Sequence, residues 1–103
     1  MGEDLVVAVE GGQAHVGAVA AALPRPSLAD PARTSASVSS FCYPAHKDDE
    51  PARELARMLG AGLGVKVVVV AGMHWEGLDE DGIAQVMEAV GRVGQRMVQL
   101  LRR

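Results

Sequence analysis

The sequence predicts an α+β fold with two layers, in which a four-stranded mixed β-sheet carries two helices on one face. Three observations favour this class. The first part of the chain is divided into short apolar or alternating runs of strand length. A nearly all-valine run, residues 65–71, comes directly after a segment of helical periodicity. A second helical segment then continues to the end of the chain.

Three strands are expected before the first helix. Residues 4–10 and 14–22 are apolar runs separated by Gly11 and Gly12, which predicts a β-hairpin around the two glycines. Residues 23–33 hold three prolines among serine and aspartate, so we expect a surface loop there. The stretch 35–43 alternates small polar with apolar side chains, which is the period of a strand with one face largely of serine.

The remaining elements are a helix, a strand and a last helix. The acidic residues 48–50 and the following Pro51 provide a cap, first-turn carboxylates and an early proline, which predicts a helix over 49–62. The valine run over 65–71 is typical of a strand covered on both faces, so we expect it in the centre of the sheet. Asp79 is the expected cap of the second helix, whose apolar stripe reaches the end of the chain.

The connections decide which loops can meet. The first helix joins the third strand to the fourth through a very short link, so these strands are expected to run parallel, with a right-handed crossover. If the third strand also reverses the second, then strands one, three and four point the same way. Their C-terminal ends then share one edge of the sheet, which is where ligands of such sheets tend to bind.

Composition and charge exclude several classes of protein. A chain of 103 residues with 49% apolar side chains has room for one domain, which we place over residues 1–103. No apolar run comes near the roughly 20 residues of a membrane-spanning helix. The net charge of −3 does not indicate a broad basic surface that would bind nucleic acid. The acidic start is unlike a secretory signal and Cys42 is the single cysteine, so we expect a cytoplasmic protein.

Three histidines fall at the shared edge. His15 follows the expected first turn, His46 follows the third strand and His74 follows the fourth. The N-termini of both helices are expected to open there as well, and their unpaired N–H groups suit a phosphate or a carboxylate. Lys47 adds a cation beside His46. The pattern therefore predicts an anion-binding pocket lined by the three histidines.

Each of these residues also has a purely structural explanation. A histidine in a loop is more often a hydrogen-bonding residue than a ligand, and no two of the three have the short spacing of a metal site. Residues 46–50 equally suit a solvated loop with a helix cap. Cys42 either packs as a small apolar group or, near His46, acts as a nucleophile. For Trp75, the only tryptophan, contact with a ligand, contact with a partner and local packing all stay open.

Three stretches carry a resemblance to a known family. They are residues 15–20 (HVGAVA), residues 44–50 (PAHKDDE) running into 52–56 (ARELA), and residues 67–74 (VVVVAGMH). In this order they resemble the LpdD-like prenylated-flavin chaperones, small cytoplasmic bacterial proteins associated with UbiD-type decarboxylases. The likeness covers almost the whole chain. It implies a fold similar to that of the eukaryotic proteasome assembly chaperones.

The resemblance also implies a function. A homodimer would hold reduced prenylated FMN and deliver it to an apo-decarboxylase, with no catalytic residue of its own. The residues expected to bind the cofactor are His15, Gly17, His46, Lys47, Glu50, His74 and Trp75. The residues themselves agree with a dimer, because the first and fourth strands are apolar on both faces and two helices cover only one.

Two other functions stay open from the sequence. One is a small metal-dependent enzyme that uses His15, His46 and His74, and the other is a pure assembly module in which the edge residues only fix loops. The chain shows no complete set of acid, base and nucleophile beyond three histidines and scattered carboxylates, which favours a binding protein over an enzyme. Metal analysis together with flavin titration separates the three functions.

Overall fold

The fold has the element order β, β, β, α, β, α. A computed structural model of the chain describes residues 1–43 and 48–102. The strands are β1 (Leu5–Gly12), β2 (Ala18–Pro26), β3 (Thr34–Cys42) and β4 (Val67–His74), and the helices are α1 (Asp49–Leu63) and α2 (Glu80–Leu101). They form a four-stranded mixed sheet with two helices, so the predicted α+β class is confirmed.

The order of the strands in the sheet is β1-β4-β2-β3. β1 pairs with β4 in parallel, and β2 pairs antiparallel with both β4 and β3. The predicted hairpin between the first two strands is therefore wrong, because β4 lies between them. Gly11 and Gly12 end β1, and residues 13–17 cross the end of β4 before β2 begins at Ala18. The valine-rich strand β4 has a neighbour on each side, which puts it in the interior of the sheet as predicted.

β2 continues through Pro26, so the predicted loop is shorter than residues 23–33. The N–H of Ser27 donates, at 2.8 Å, to the carbonyl of the residue that precedes β3. Because alternate residues of an antiparallel strand bond to opposite neighbours, the nitrogens of Pro24 and Pro26 face away from β3. On that side β4 pairs with β2 only as far as Ala22. The two prolines are tolerated because no strand there requires their missing N–H groups.

Both helices pack on one face of the sheet. The inward side chains of β2 and β4 are small or β-branched and almost fully buried: Ala18, Ala20, Ala22, Val67, Val69 and Ala71. Four side chains of α1, all at 0% exposure, meet this layer: Ala52, Leu55, Ala56 and Leu59. α2 packs chiefly on α1, where a Cβ on Gly94 would lie 2.9 Å from the end of Met58. The absence of a side chain at Gly94 therefore lets the two helices cross closely.

The helix boundaries follow the signals in the sequence. α1 ends before Gly64, whose φ of 65° lies in the left-handed region that favours glycine. Asp79 caps α2, because its side chain accepts from the N–H of Gly82 at 2.8 Å. α2 then continues to Leu101, close to the end of the sequence as predicted. In the described ranges, neither helix is both long enough and apolar enough to cross a membrane.

The opposite face of the sheet is apolar and is not covered by the helices. Val6 is 57% exposed and Phe41 is 58% exposed on this face, and the side chains of Val68 and Val70 between them are only half-buried. We expected both faces of β4 to be covered. Within the described residues, the helices cover only one of them. Ser35, Ser37 and Ser39 of β3 share this outer face with Phe41, as the alternation in the sequence predicts, whereas Ser40 pairs with the buried Ala20 on the helix side.

β1, β3 and β4 run in the same direction, since β1 is parallel to β4 and both β3 and β4 are antiparallel to β2. Their C-terminal ends share one edge of the sheet with the starts of both helices, which confirms the predicted arrangement. β4 does not end at Ala71 as expected but carries Met73 and His74 to this edge. We call it the site edge; it comprises residues 13–17, residues 73–81 and the start of α1, from Asp48 onwards.

Candidate functional site

His15 lies between two hydrogen-bond acceptors at the site edge. Its Nδ1 atom is 3.0 Å from the carbonyl oxygen of Gln13, and its Nε2 atom is 3.0 Å from Oδ2 of Asp48. Asp48 is 5% exposed and directly precedes α1, yet its side chain makes no capping hydrogen bond to that helix. The carboxylate cap predicted there is therefore wrong for Asp48, which instead holds the loop that carries His15.

The two acceptors determine the protonation of His15. A carbonyl oxygen has no proton to give, so Nδ1 must donate to Gln13. An aspartic acid ordinarily loses its proton well before an imidazolium does, so Nε2 donates to a carboxylate. The carbonyl of Gln13, followed by the hydrogen bond and charge of Asp48, raises the pKa of His15 above its ordinary value of 6.5 against the opposing effect of burial. In this arrangement both ring nitrogens of His15 face oxygen atoms of the protein.

Two glycines make room for this pair. A Cβ on Gly17 would overlap Oδ2 of Asp48, so a residue without a side chain is needed beneath the carboxylate. A Cβ on Gly72 would overlap the carbonyl oxygen of His15, because the loop passes directly over the end of β4. The N–H of Gly17 also donates to the carbonyl of Ala71 at 2.8 Å. The backbone of the loop is therefore fixed against the sheet where it presents His15.

His74 and Trp75 lie beside the pair. The rings of His15 and His74 meet edge to face with their centroids 6.4 Å apart. The indole of Trp75 packs on the end of β1, where a Cβ on Gly11 would lie 2.6 Å from Cη2 and a Cβ on Gly12 would lie 2.8 Å from Nε1. The side chain of Trp75 is held against glycine backbone and still leaves 39% of the residue exposed.

Three cavities lie in series along the site edge. The helix cavity, of about 490 Å³, lies between the end of β1 and α2, and the start cavity, of about 350 Å³, lies at the start of α1. They share four lining residues: Met73, Trp75, Leu78 and Val86. The histidine cavity, of about 360 Å³, is lined by residues 13–16 and by His74, which also lines the start cavity. Their sizes are those of small-molecule sites.

A fourth cavity, of about 440 Å³, lies at the opposite end of the sheet, between the beginning of the chain and the ends of both helices. Its described lining includes none of the residues expected to bind a ligand. His15, His74 and Trp75 instead lie at the site edge, so we take its three adjoining cavities as the candidate site.

The charge at the site edge is mostly negative. Its described carboxylates are Asp48, Asp49, Glu50, Glu76, Asp79, Glu80 and Asp81. The start cavity is lined by Asp48 and Glu50, whereas none of the described residues around the histidine cavity is a carboxylate. At the start of α2, the predicted cap Asp79 already accepts from the N–H of Gly82, so this N–H is not free for an anion. Glu10 lines the helix cavity, so of the three cavities at the site edge the histidine cavity alone has no carboxylate among its described lining residues.

The structure describes five of the residues expected to bind a ligand and brings them to the site edge. They are His15, Gly17, Glu50, His74 and Trp75. His46 and Lys47 lie outside the described residues. Of the three histidines expected to line one pocket, the structure therefore describes His15 and His74. Across the described ranges, no three side chains of His, Cys, Asp or Glu are grouped as a metal site. Cys42 is half-buried at the end of β3.

Sequence reasoning missed the role of Asp48 and the contact between Gly11 and Trp75. Asp48 has the ordinary signature of a helix cap, and its partner His15 lies 33 positions earlier in the chain. Gly11 was expected in a turn, and its contact with Trp75 exists only because β1 lies parallel to β4. One signal was available: glycines flank both histidines in the sequence, which indicates close approaches of the backbone.

Comparison with known proteins places the chain in a family. No curated protein matches it at a significant level. A family model described as the prenylated flavin chaperone LpdD-like domain matches residues 1–102, which is nearly the whole chain. The match therefore spans every strand and helix of the fold together with all three cavities of the site edge. On this match, the chain belongs to the family of prenylated flavin chaperone LpdD-like domains.

Proposed function

We propose that the protein binds reduced prenylated FMN at the site edge and delivers it to an apo-decarboxylase of the UbiD type. The observation that carries the proposal is the family match over residues 1–102, since the family is described as a prenylated flavin chaperone. The three connected cavities support it, because they provide adjoining apolar and polar space beside a tryptophan.

The residues of the site edge fit such a ligand. Prenylated FMN combines a planar fused-ring system, an isoprenoid-derived part and a phosphate. Trp75 offers a partly exposed indole for the ring system, and the helix and start cavities, both of which it lines, are large enough for a small molecule. Gly11 and Gly12 keep the indole in place against β1. These features support the binding of a ligand that is flat and apolar at one end.

We place the phosphate of this ligand on the side of the histidine cavity. A phosphate would be repelled by Asp48 and Glu50 in the start cavity, whereas His74 lines the histidine cavity and offers a hydrogen-bond donor. The charge of His15 is balanced by its carboxylate partner, so it adds little net attraction. His46 and Lys47 directly precede Asp48 in the sequence, and we propose them as the remaining phosphate ligands.

We further propose that the protein carries the flavin without turning it over. A general base must accept a proton, and His15 already donates both of its ring protons to oxygen atoms. Around His74, the described lining of the three cavities otherwise consists of apolar side chains, glycines, carboxylates and the amides of Gln13 and Gln85. This arrangement supports holding and releasing a cofactor rather than transforming it.

The protein is proposed to work in the cytoplasm as a homodimer joined through the outer face of the sheet. That face presents a patch without charged side chains: Val6, Ala8, Val19, Ala21, Val68 and Val70. Stable interfaces have an apolar centre that is depleted of charge. In a two-fold dimer the same patch meets itself, and here no like charges would be opposed. A second copy of the chain therefore suits this face better than a charged partner does.

Anaerobic titration with reduced prenylated FMN tests the proposed function. The wild-type protein should bind the flavin and then raise the activity of an apo-decarboxylase. Lys47→Ala should weaken binding by about tenfold or more, because a charge-assisted contact contributes roughly 1.5–3 kcal/mol. Lys66→Ala is the matched control, since Lys66 is an exposed lysine at the opposite end of β4 and its removal should leave the affinity unchanged. His46→Ala should also weaken binding.

The outcomes separate the parts of the proposal. Binding without any rise in decarboxylase activity would support a flavin-binding protein and refute delivery. If folded wild-type protein neither binds the reduced flavin nor raises the activity, the likeness to the family extends to the fold alone. An assembly module that uses the outer face of the sheet would then be the better description.

A further inference from the structure

We propose that the helix cavity binds the isoprenoid-derived part of the flavin, so that the protein selects the prenylated cofactor over unmodified FMN. Trp75, at the junction of the helix and start cavities, fixes the ring system. This inference rests on the proposed function and adds the place where the distinguishing chemical group is recognised.

The helix cavity suits an apolar group. Its deepest walls are core side chains, with Leu55 at 0% exposure and Val90 at 4% exposure. Val86, Ala89 and Val93 of α2 add further apolar walls, and the polar side chains of the lining are Glu10 and Gln85. The transfer of an isoprenoid-derived group from water into such surroundings is favourable, because it removes apolar surface from water. Unmodified FMN has no group to place there.

The cavity results from the way α2 is packed. Val90 and Gly94 are the buried residues of α2, all of which is described, and both lie near the crossing with α1. β1, the edge strand beside β4, keeps Val7 and Val9 only half-buried on the same side of the sheet. The result is a mostly apolar groove of about 490 Å³ that is open to solvent, lies next to the candidate site and has the size of a small-molecule site.

Trp75 connects the helix cavity to the rest of the site. It lines both the helix cavity and the start cavity, together with Met73. Its indole already packs on the backbone of Gly11 and Gly12, so it cannot move further towards β1. A fused ring that stacks on this indole would direct one end beneath α2 and the other towards His74. The position of Trp75 thus places the isoprenoid-derived part in the helix cavity and the phosphate at the histidines.

The test compares the affinities for reduced prenylated FMN and for reduced unmodified FMN. Trp75 is the only tryptophan, so quenching of its emission reports binding directly. The wild-type protein should bind the prenylated form at least about tenfold more tightly, because several additional carbon atoms leave water. Ala89→Leu fills part of the helix cavity and should remove most of this preference, while the affinity for unmodified FMN stays within about twofold. Ala84→Leu is the matched control, since Ala84 is exposed on the same helix and lines none of the described cavities.

A second variant tests the role of the glycine support. Gly11 does not have a positive φ, so Gly11→Ala is compatible with the backbone of β1, but the new Cβ would displace the indole. This variant should bind both flavins about three- to tenfold more weakly, because the stacking contact is lost for both. Its thermal unfolding, followed by circular dichroism, shows whether the fold is retained.

Each outcome decides between the inference and the proposed function. A preference that falls in Ala89→Leu and persists in Ala84→Leu supports the inference. Equal affinities of wild-type protein for the two flavins, or an unchanged preference in Ala89→Leu, would overturn it and leave the proposed function standing. If folded wild-type protein binds neither flavin, the proposed function fails and the inference fails with it.

Discussion

Replacing Gly17 by alanine should break the contact between His15 and Asp48. The new Cβ would overlap Oδ2 of Asp48, which lies 3.0 Å from the Nε2 atom of His15. The backbone cannot retreat without loss, because the N–H of Gly17 donates to Ala71 at 2.8 Å and its carbonyl accepts from the N–H of Tyr43 at 2.9 Å. Asp48 must therefore move. Overpacking a close-packed site costs about 1–3 kcal/mol of the free energy of unfolding, and each kcal/mol lowers the Tm of a domain of this size by about 4–8 °C.

Urea denaturation and an NMR titration of His15 measure this effect. The unfolding midpoint of Gly17→Ala should fall, and the pKa of His15 should move back towards 6.5 as the carboxylate is displaced. Gly91→Ala is the matched control, because a Cβ at Gly91 of α2 meets no atom within 4 Å. That exchange should be neutral or stabilising by up to about 1 kcal/mol, since alanine favours the helix. An unchanged midpoint and an unchanged His15 titration in Gly17→Ala would refute the steric reasoning.

Other variants test protonation, the core and the dimer. Asp48→Asn should lower the pKa of His15 relative to wild type. Because the pKa is raised in the folded protein, the His15–Asp48 pair stabilises the fold fully below pH 6.5 and less as the pH rises through the raised pKa. The free energy of unfolding should therefore fall more steeply above pH 6.5 in wild type than in the variant. Leu59→Ala, at a position with 0% exposure, should cost about 2–5 kcal/mol in urea denaturation. Val6→Lys, on the outer face of the sheet, should weaken the dimer by at least about tenfold in sedimentation equilibrium, because two like charges would meet at the interface.

Each of these predictions has a control and a contradicting result. A His15 titration that is the same in Asp48→Asn and wild type would show that the carboxylate does not hold the imidazolium. Leu100→Ala, at a position 65% exposed, should change stability by less than about 0.5 kcal/mol, and a loss equal to that of Leu59→Ala would contradict the assigned core. Leu28→Lys, at a position 90% exposed in the turn before β3, should leave the dimer intact, and a monomeric wild-type protein would refute the proposed interface.

Local signals in the sequence determined the elements and the direction of most strands. The acidic residues 48–50 with Pro51 gave the start of α1 correctly, and Asp79 was identified as the cap of α2. The alternation over 35–43 gave β3 and its serine face to within a residue. These predictions hold because caps, periodicity and short links act between residues that are near one another in the chain. The short links around α1 predicted that β3 and β4 run parallel, whereas the direction of β1 was derived from a hairpin that does not form, although β1 does run parallel to β4.

The order of the strands was decided only by the tertiary structure. The same apolar runs around Gly11 and Gly12 are compatible with a hairpin or with two strands that another strand separates. The choice depends on whether β4, far away in the sequence, pairs between them, and burying its valines in the interior of the sheet favours that arrangement. The pairing of the strands also allowed β2 to continue through Pro24 and Pro26. The nitrogens of these prolines face the side of β4, and β4 pairs with β2 only as far as Ala22.

The interactions within the candidate site were likewise decided by contacts between distant residues. The sequence brought His15 and His74 to one edge, but the protonation of His15 depends on a carboxylate 33 positions later that had the appearance of an ordinary cap. The helix cavity depends on where α2 crosses α1, and therefore on Gly94 meeting Met58. No local pattern encodes such contacts, because each arises when the packing of the sheet and both helices brings separate segments of the chain together.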